Sequence, residues 1–207
     1  MKQVLRFFYK GFIGPMALLL CMVLVSFTYN IHSNQQDSEE YYVYNEGWVH
    51  GIPTGFMGEK DGKSIVLNDA WKEEPYKGEK CIKMTVNPGV ENWRGLHIQF
   101  KGTWNVGLDE KTVLPDLSEY DQLEFYAKAI PGAGQDAFLI QDIGVGQTDK
   151  VEGAMFTDSY LEIGENWKRY TIKLKRGELK RVNTLLYFTL PEGTLFLDEI
   201  KYTKKKK

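Results

Sequence analysis

The segment of residues 80–108 constrains the fold most, because it contains two short runs in which apolar and polar residues alternate. In residues 80–86 and again in residues 96–100, the apolar side chains occupy every second position. A period of two is typical of β-strands that have one buried face and one face in solvent. Glycine, proline or asparagine bounds both runs, so we predict two strands separated by a loop.

The same punctuation continues along most of the chain, with glycine, proline or asparagine interrupting it at intervals of roughly 8 to 15 residues. Aromatic residues make up 14% of the sequence, which favours strands over helices. The predicted strands are residues 41–45, 64–67, 80–86, 96–100, 122–129, 137–143, 168–174, 184–190 and 194–202. Many short strands at this spacing predict an all-β fold, an antiparallel β-sandwich or jelly roll.

The N-terminal segment has a different composition. Lys2, Arg6 and Lys10 are its only charged residues before an uncharged run from Gly11 to Ile31. An uncharged stretch of about 20 residues is long enough to cross a bilayer as a helix, although a basic front followed by an apolar middle also describes a cleavable signal peptide. We therefore expect the sandwich to follow one N-terminal transmembrane or signal helix, and we favour an uncleaved anchor.

These features predict a signal-anchor segment at residues 1–31, a polar linker at 32–40, a jelly-roll domain at 41–203 and a basic tail at 204–207. The positive flank of the leader stays in the cytoplasm, so the domain is expected outside it, in the periplasm or at the cell surface. The N-terminal helix would tether it to the membrane. If the leader is cleaved, the domain is secreted.

Charge and composition exclude several classes of function. Removing the three leader bases from the 26 lysines and arginines leaves 23 against 28 acidic residues, so the rest of the chain is near −5. A domain of that sign lacks the basic face that nucleic acid requires, so no nucleic-acid partner is expected. The 43% hydrophobic content is that of a globular chain. Cys81 stands alone in the domain, so no disulfide within it is possible.

Catalytic motifs are scarce. The three histidines, His32, His50 and His97, lie far from any Gly-x-Ser-x-Gly elbow, and they are too few for a His/Cys metal cluster. The neighbouring acids, such as Glu73 and Glu74, point to opposite faces of a strand, whereas a glycosidase needs two carboxyls about 5 to 10 Å apart. We therefore predict no enzyme activity. Because acids from separate strands can still converge, a small glycan-active enzyme stays an alternative.

A structural calcium ion is the cofactor that the sequence favours, because calcium is commonly bound by carboxylates together with loop carbonyls. Asp198 lies in the middle of a predicted strand, where an uncompensated charge is costly. Glu46 and Glu79 are the predicted partners of Asp198 in this site. The alternative for Asp198 is a place on an edge strand, with its carboxylate in solvent.

Three segments of the domain resemble β-jelly-roll carbohydrate-binding modules, the galactose-binding-domain-like group. Residues 76–83 resemble that group's Tyr-x-Gly-x-x-Cys/Ala-Leu/Ile entry to an early strand, and residues 117–127 its Leu-Ser-x-Tyr-x-x-Leu-x-Phe-x-Ala segment. Residues 167–174 and 195–202 resemble its closing strands. The resemblance implies a jelly-roll fold, a glycan partner and an acid near structural calcium at Asp198. Glu199 stands where many members have a second aspartate.

Sugars offer C–H faces that stack on aromatic rings and hydroxyls that need polar partners, so a sugar site combines an aromatic platform with placed polar groups. The predicted ligand-binding residues are Trp93, Arg94, His97, Gln99, Trp104, Tyr126, Gln141 and Tyr187. Trp71 is a further candidate for the rim of that face. For Trp93 and Trp104 the alternative is that they close the ends of the sandwich.

The sequence therefore predicts an exported, membrane-anchored carbohydrate-binding domain that recognises a polysaccharide or another glycan without catalysis. The alternative is a structural or protein-binding domain of the cell envelope, without a sugar site and with an envelope protein as its partner.

Overall fold

The computed structural model describes residues 40–57, 65–89, 94–101, 113–146, 155–157, 160–175 and 177–204. The chain divides into two units, Met1–Ser38 and Glu39–Lys207, and the described residues all belong to the second. Within them no helix has the length and apolar character needed to span a bilayer. The predicted leader and most of the linker lie outside the described residues.

The described residues form two antiparallel sheets of six strands each. In the first sheet the strand order is β10-β6-β12-β4-β3, with β1 paired to β12 as well; in the second it is β2-β5-β11-β7-β8, with β9 paired to β7. The strands are β1 (Glu40–Tyr44), β2 (Gly51–Met57), β3 (Ile65–Trp71), β4 (Cys81–Val86), β5 (Gly95–Phe100), β6 (Gln122–Pro131), β7 (Phe138–Gly146), β8 (Met155–Thr157), β9 (Leu161–Ile163), β10 (Lys168–Lys173), β11 (Thr184–Thr189) and β12 (Gly193–Thr203).

The hydrophobic core lies between the inner faces of the two sheets. Alternate apolar side chains of the strands fill it, such as Leu123 and Phe125 of β6 and Leu96 and Ile98 of β5, all of which are fully buried. The residues between them point away from the core. The two outer faces, one on each sheet, are therefore the surfaces on which a binding site can be built.

Strand β12 is the centre of the first sheet, because it pairs with β6 along one side and with both β4 and β1 along the other. β4 pairs with its first half, up to Leu197, and β1 pairs with its last residues, from Ile200 onward. The register shifts between Asp198 and Lys201, and Glu199 has a φ of 49°. A bulge therefore marks the point where β12 changes partners.

The nine predicted strands are all present, and the all-β antiparallel class is confirmed. Three strands were not predicted, namely β2, β8 and β9. Gly51, Pro53 and Gly55 give β2 the composition of a loop, although proline is tolerated in a strand at the edge of a sheet, which is where β2 lies. The other two strands have three residues each, which is too short for a periodic pattern.

Candidate glycan-binding face

The outer face of the second sheet carries most of the predicted ligand-binding residues that the structure describes. Leu96 and Ile98 of β5 point into the core, so His97 and Gln99 between and beside them point outward. On the neighbouring strand β11, Tyr187 pairs with His97 and Thr184 pairs with Gln99. We call the outward residues Thr54, His97, Gln99, Gln141, Asp142, Thr184, Tyr187 and Thr189 the polar face.

Tyr187 is the aromatic centre of the polar face. Its register partner on β7 is Gly144, and a Cβ placed on this glycine would lie 2.0 Å from Cε1 of the tyrosine ring. The ring therefore occupies the space above a residue without a side chain. Tyr187 is 8% exposed and belongs to no part of the core cluster. Burial, and secondly the nearby Asp142 carboxylate, raises the pKa of Tyr187 to about 12, so the phenol is neutral at physiological pH.

His97 is held in place from both sides of its ring. Its Nδ1 lies 3.2 Å from the Thr54 hydroxyl and its Nε2 lies 2.9 Å from the Thr184 hydroxyl. The Thr184 hydroxyl donates to Asn183 at 3.4 Å, so it accepts a hydrogen bond from Nε2–H, and Nδ1 accepts one from Thr54. Burial lowers the pKa of His97, which keeps the imidazole neutral at pH 7.

Two glutamines add side-chain amides to the polar face. Gln99 is half-buried and Gln141 is exposed, and neither side-chain amide has a hydrogen-bond partner among the described residues. In contrast, the Thr189 hydroxyl donates to the Asp142 carboxylate at 3.1 Å. An amide offers both a donor and an acceptor, which is the chemistry that sugar hydroxyls need.

The structure brings four of the predicted ligand-binding residues together on this face, His97, Gln99, Gln141 and Tyr187. Tyr126 was wrongly placed with them. It lies on β6 of the first sheet, on the opposite side of the sandwich, where its ring stacks on Tyr76 with centroids 3.6 Å apart.

Arg94, the residue immediately before β5, has a structural role. Its guanidinium lies 3.5 Å from the Glu192 carboxylate and donates to the Asn87 carbonyl at 3.4 Å. The same carboxylate accepts a hydrogen bond from the backbone of Gly89 at 3.0 Å. Arg94 thus joins the loop after β4 to the turn before β12. It is not available to a ligand on the polar face without losing these contacts.

The tryptophans separate into two groups. Trp93 and Trp104 lie outside the described residues, so their role as sugar platforms stays a prediction. Trp71 does not rim the polar face. It ends β3 in the first sheet, and the Lys83 ammonium lies 3.6 Å from its ring centroid. Trp48 packs against the core and donates to the Asp69 carboxylate at 2.6 Å.

The three predicted calcium ligands do not form a metal-binding group, and the described residues contain no such cluster of acids, histidines or cysteines. Asp198 is 1% exposed, and its two oxygens accept backbone N–H groups of Glu199 at 2.8 Å and Lys77 at 3.1 Å. Both oxygens of Glu46 accept the backbone N–H of Glu79 at 3.0 Å. Asp198 is thus satisfied by peptide N–H groups of β12 and of the loop before β4, and Glu46 by a peptide N–H group of that loop. Calcium bound through another ligand set stays a prediction.

Burial raises the pKa of Asp198 to about 6, against the lowering effect of its backbone hydrogen bonds. The buried charge of Asp198 therefore does need compensation, as predicted. The compensating groups are peptide N–H donors. The alternative of a solvent-facing acid is wrong, since the side chain is buried.

Sequence reasoning missed Thr54, Thr184, Thr189 and Asp142. The two threonines that bind His97 come from β2 and β11, and the strand containing Thr54 was not predicted. Asp142 follows Gln141 at a residue with a φ of 49°, where the register of β7 shifts. Asp142 lies inside the predicted strand 137–143, and a polar residue within a strand pattern does not by itself indicate a bulge.

Neither a protein-family model nor a curated protein sequence matches this chain. Solved structures do match it. The solution structure of CtCBM11 is 12% identical, with a TM-score of 0.51, and the match covers 83% of this chain and 99% of that one. The domain has a β-jelly-roll fold like that of carbohydrate-binding modules.

Two further matches are of the same kind. A family 11 carbohydrate-binding module from Clostridium thermocellum, in complex with a β-1,3-1,4-mixed-linked tetrasaccharide, is 13% identical with a TM-score of 0.48, and the match covers 80% of this chain and 95% of that one. The CBM22-1 xylan-binding domain from Paenibacillus barcinonensis Xyn10C is 12% identical with a TM-score of 0.44, covering 81% and 94%.

Proposed function

We propose that the jelly-roll domain binds a neutral glycan, without catalysis, on the polar face of its second sheet. The observation that carries the proposal is the combination on one sheet face of an aromatic ring, Tyr187, with two amides, Gln99 and Gln141, that have no hydrogen-bond partner among the described residues. Aromatic rings stack on the C–H faces of sugars, and amides exchange hydrogen bonds with sugar hydroxyls. The jelly-roll fold is compatible with this use but does not by itself assign it.

The charges of the polar face support a neutral ligand over an acidic one. His97 is neutral because burial lowers its pKa, and none of the eight residues of the face is a lysine or arginine. The one ionised side chain among them, Asp142, is negative and already accepts a hydrogen bond from Thr189. A uronic acid would therefore meet a like charge without a cation to compensate for it.

The dimensions of the polar face fit an extended sugar chain. Its residues come from four neighbouring strands, β2, β5, β11 and β7, which span about 14 Å at the usual spacing of about 4.8 Å. His97, Tyr187 and Gly144 form one row across these strands, and Thr189 and Gln141 belong to the next. The proposal is thus that two or three sugar residues lie across the strands with Tyr187 beneath them.

We further propose that the domain works outside the cytoplasm, tethered to the membrane through its N-terminal segment. The support is the uncharged run from Gly11 to Ile31 behind a basic front. Calcium stays a proposed structural cofactor, and thermal unfolding of the protein in calcium and in chelator tests it.

Affinity electrophoresis tests the glycan proposal. The full-length chain is run in detergent through gels that contain neutral β-glucan, xylan, mannan or galactan, beside Gln99→Ala and the matched control Gln122→Ala. Gln122 is a half-buried glutamine of β6, on the other sheet. We expect retardation by at least one neutral polysaccharide, a loss of about tenfold in affinity for Gln99→Ala and none for the control. Absence of retardation by a folded protein would favour the structural or protein-binding alternative.

A further inference from the structure

The outer face of the first sheet carries a row of alternating cations and aromatic rings. Phe196 of β12 pairs with Lys83 of β4 on one side and with Lys128 of β6 on the other. Both ammonium groups lie over its ring, at 5.8 and 5.0 Å from the centroid. Trp71 and Trp167 stand at the two ends, and Asn68 is the register partner of Lys83 on β3. We call these six residues the lysine–aromatic row.

The two lysines differ in how their charges are balanced. Lys128 forms an ion pair of 2.6 Å with Glu74, whose side chain is 81% exposed. Lys83 forms no ion pair with a described residue, and its ammonium is held over Trp71 at 3.6 Å. A cation–π contact orients a cation without neutralising it. Among the described residues, the row therefore keeps one positive charge without an ion-pair partner and a second one whose partner carboxylate is exposed to solvent.

A neutral row runs beside the charged one. Val66 of β3, Thr85 of β4, Thr194 of β12 and Ile130 of β6 are register partners in turn across the same four strands. Val66 and Ile130 are 56% and 58% exposed, and the two threonine hydroxyls lie 3.4 Å apart. Apolar contact area and hydroxyls thus adjoin the two ammonium groups on one open sheet face.

We propose that this surface binds an acidic polysaccharide, one whose sugar residues bear carboxylates. Strands β4 and β6 are two spacings apart, so Lys83 and Lys128 lie roughly 10 Å apart along the row, a distance that two carboxylates of one extended chain can bridge. The sugar rings would pack against Val66, Ile130 and the edges of the tryptophans. The hydroxyls of Thr85 and Thr194 would form hydrogen bonds with the sugar hydroxyls.

The attraction for an acidic polysaccharide is confined to the lysine–aromatic row. Outside the leader the chain is near −5, so attraction of a polyanion cannot come from its net charge and depends on the lysine–aromatic row. The ligand class also differs from that proposed for the polar face, which offers no cation. The two sites can therefore be inactivated separately, and the failure of one proposal leaves the other intact.

The test compares retention of the full-length chain by polygalacturonate with retention by highly methyl-esterified pectin, in which the same sugars have lost their negative charge. Retention by inorganic polyphosphate, a polyanion without sugars, is measured beside them. The variants are Lys83→Gln and Lys83→Arg, with Lys180→Gln as the control for loss of an exposed lysine elsewhere. Glu74→Gln, which frees the Lys128 ammonium, is the variant expected to gain affinity. Thermal unfolding checks that each variant is folded.

We expect binding to polygalacturonate only, weakened about fivefold by Lys83→Gln and by added salt, and preserved in Lys83→Arg, Lys180→Gln and Gln99→Ala. Glu74→Gln should bind about twofold more tightly. Three results would overturn the proposal. They are equal retention by the esterified polymer, equal retention by inorganic polyphosphate, and equal losses in Lys83→Gln and Lys180→Gln.

Discussion

Tyr187 and Gly144 are opposite each other on neighbouring strands, and the tyrosine ring fills the space that a side chain on the glycine would need. A methyl group there would lie 2.0 Å from Cε1 of the ring, which is closer than any real contact. The position of the one tyrosine ring among the eight polar-face residues therefore depends on the absence of a side chain at Gly144 of β7.

Replacing Gly144 with alanine should displace the Tyr187 ring and weaken neutral-glycan binding by about tenfold, since the far end of a side chain moves more readily than a strand. The measurement is the dissociation constant for the polysaccharide found by affinity electrophoresis. Gly164→Ala is the control, because a Cβ on that glycine meets no atom within 4 Å. Unchanged affinity in Gly144→Ala would show that the ring does not contact the ligand.

The burial of His97 predicts a dependence of stability on pH with a definite sign. Its pKa is lowered in the folded state, so on acidification the unfolded chain takes up a proton first. The contribution of His97 to the free energy of unfolding is therefore constant above about pH 6.5 and falls below it. Urea unfolding of the wild type and of His97→Gln at pH 7.5 and 5.5 measures this contribution.

We expect the wild type to lose stability relative to His97→Gln between the two pH values. The comparison with the variant is needed because Asp198 acts in the opposite direction. Its pKa is raised to about 6, so its protonation on acidification favours the folded state. A wild-type advantage that is the same at both pH values would contradict the assignment of a neutral, buried His97.

Cys81 should be chemically inert in the folded domain. The side chain has no exposed surface, and burial raises the pKa of the thiol to about 11, so only about a thousandth of it is thiolate at pH 8. In a Cys21→Ser background, labelling by a thiol reagent should be at least about a hundredfold slower in the native protein than in urea. Comparable rates in the two conditions would mean that β4 opens readily or is exposed.

The strands were predictable because two local signals mark them. These are the alternation of apolar and polar residues and the glycine, proline or asparagine residues that interrupt it. The sheet to which each strand belongs is not a local property, and this is why Tyr126 was placed beside His97. Alternation showed correctly that Tyr126 points outward, but β6 and β5 belong to different sheets, so their outward faces are on opposite sides of the sandwich. Tyr187 and Gln141 were placed correctly because β11 and β7 belong to the sheet of β5.

The partners of charged residues were beyond the reach of the sequence for a similar reason. Arg94 is joined to Glu192, 98 positions away, and Asp198 accepts an N–H group from Lys77, 121 positions away. The sequence indicated that Asp198 needs compensation but not which group supplies it, and it assigned Arg94 to ligand binding. Asp198 was accordingly assigned to calcium, whereas the structure gives its oxygens to peptide N–H groups.

The central claim is that the polar face of the second sheet binds a neutral glycan through the amides of Gln99 and Gln141. The most direct measurement is calorimetric titration of a soluble oligosaccharide of the retained polysaccharide into the wild type, the double variant Gln99→Ala/Gln141→Ala, and Gln122→Ala. We predict one binding site in the wild type, the same affinity in Gln122→Ala and a loss of at least about tenfold in the double variant. Equal affinity in all three proteins would contradict the claim and place the sugar site elsewhere.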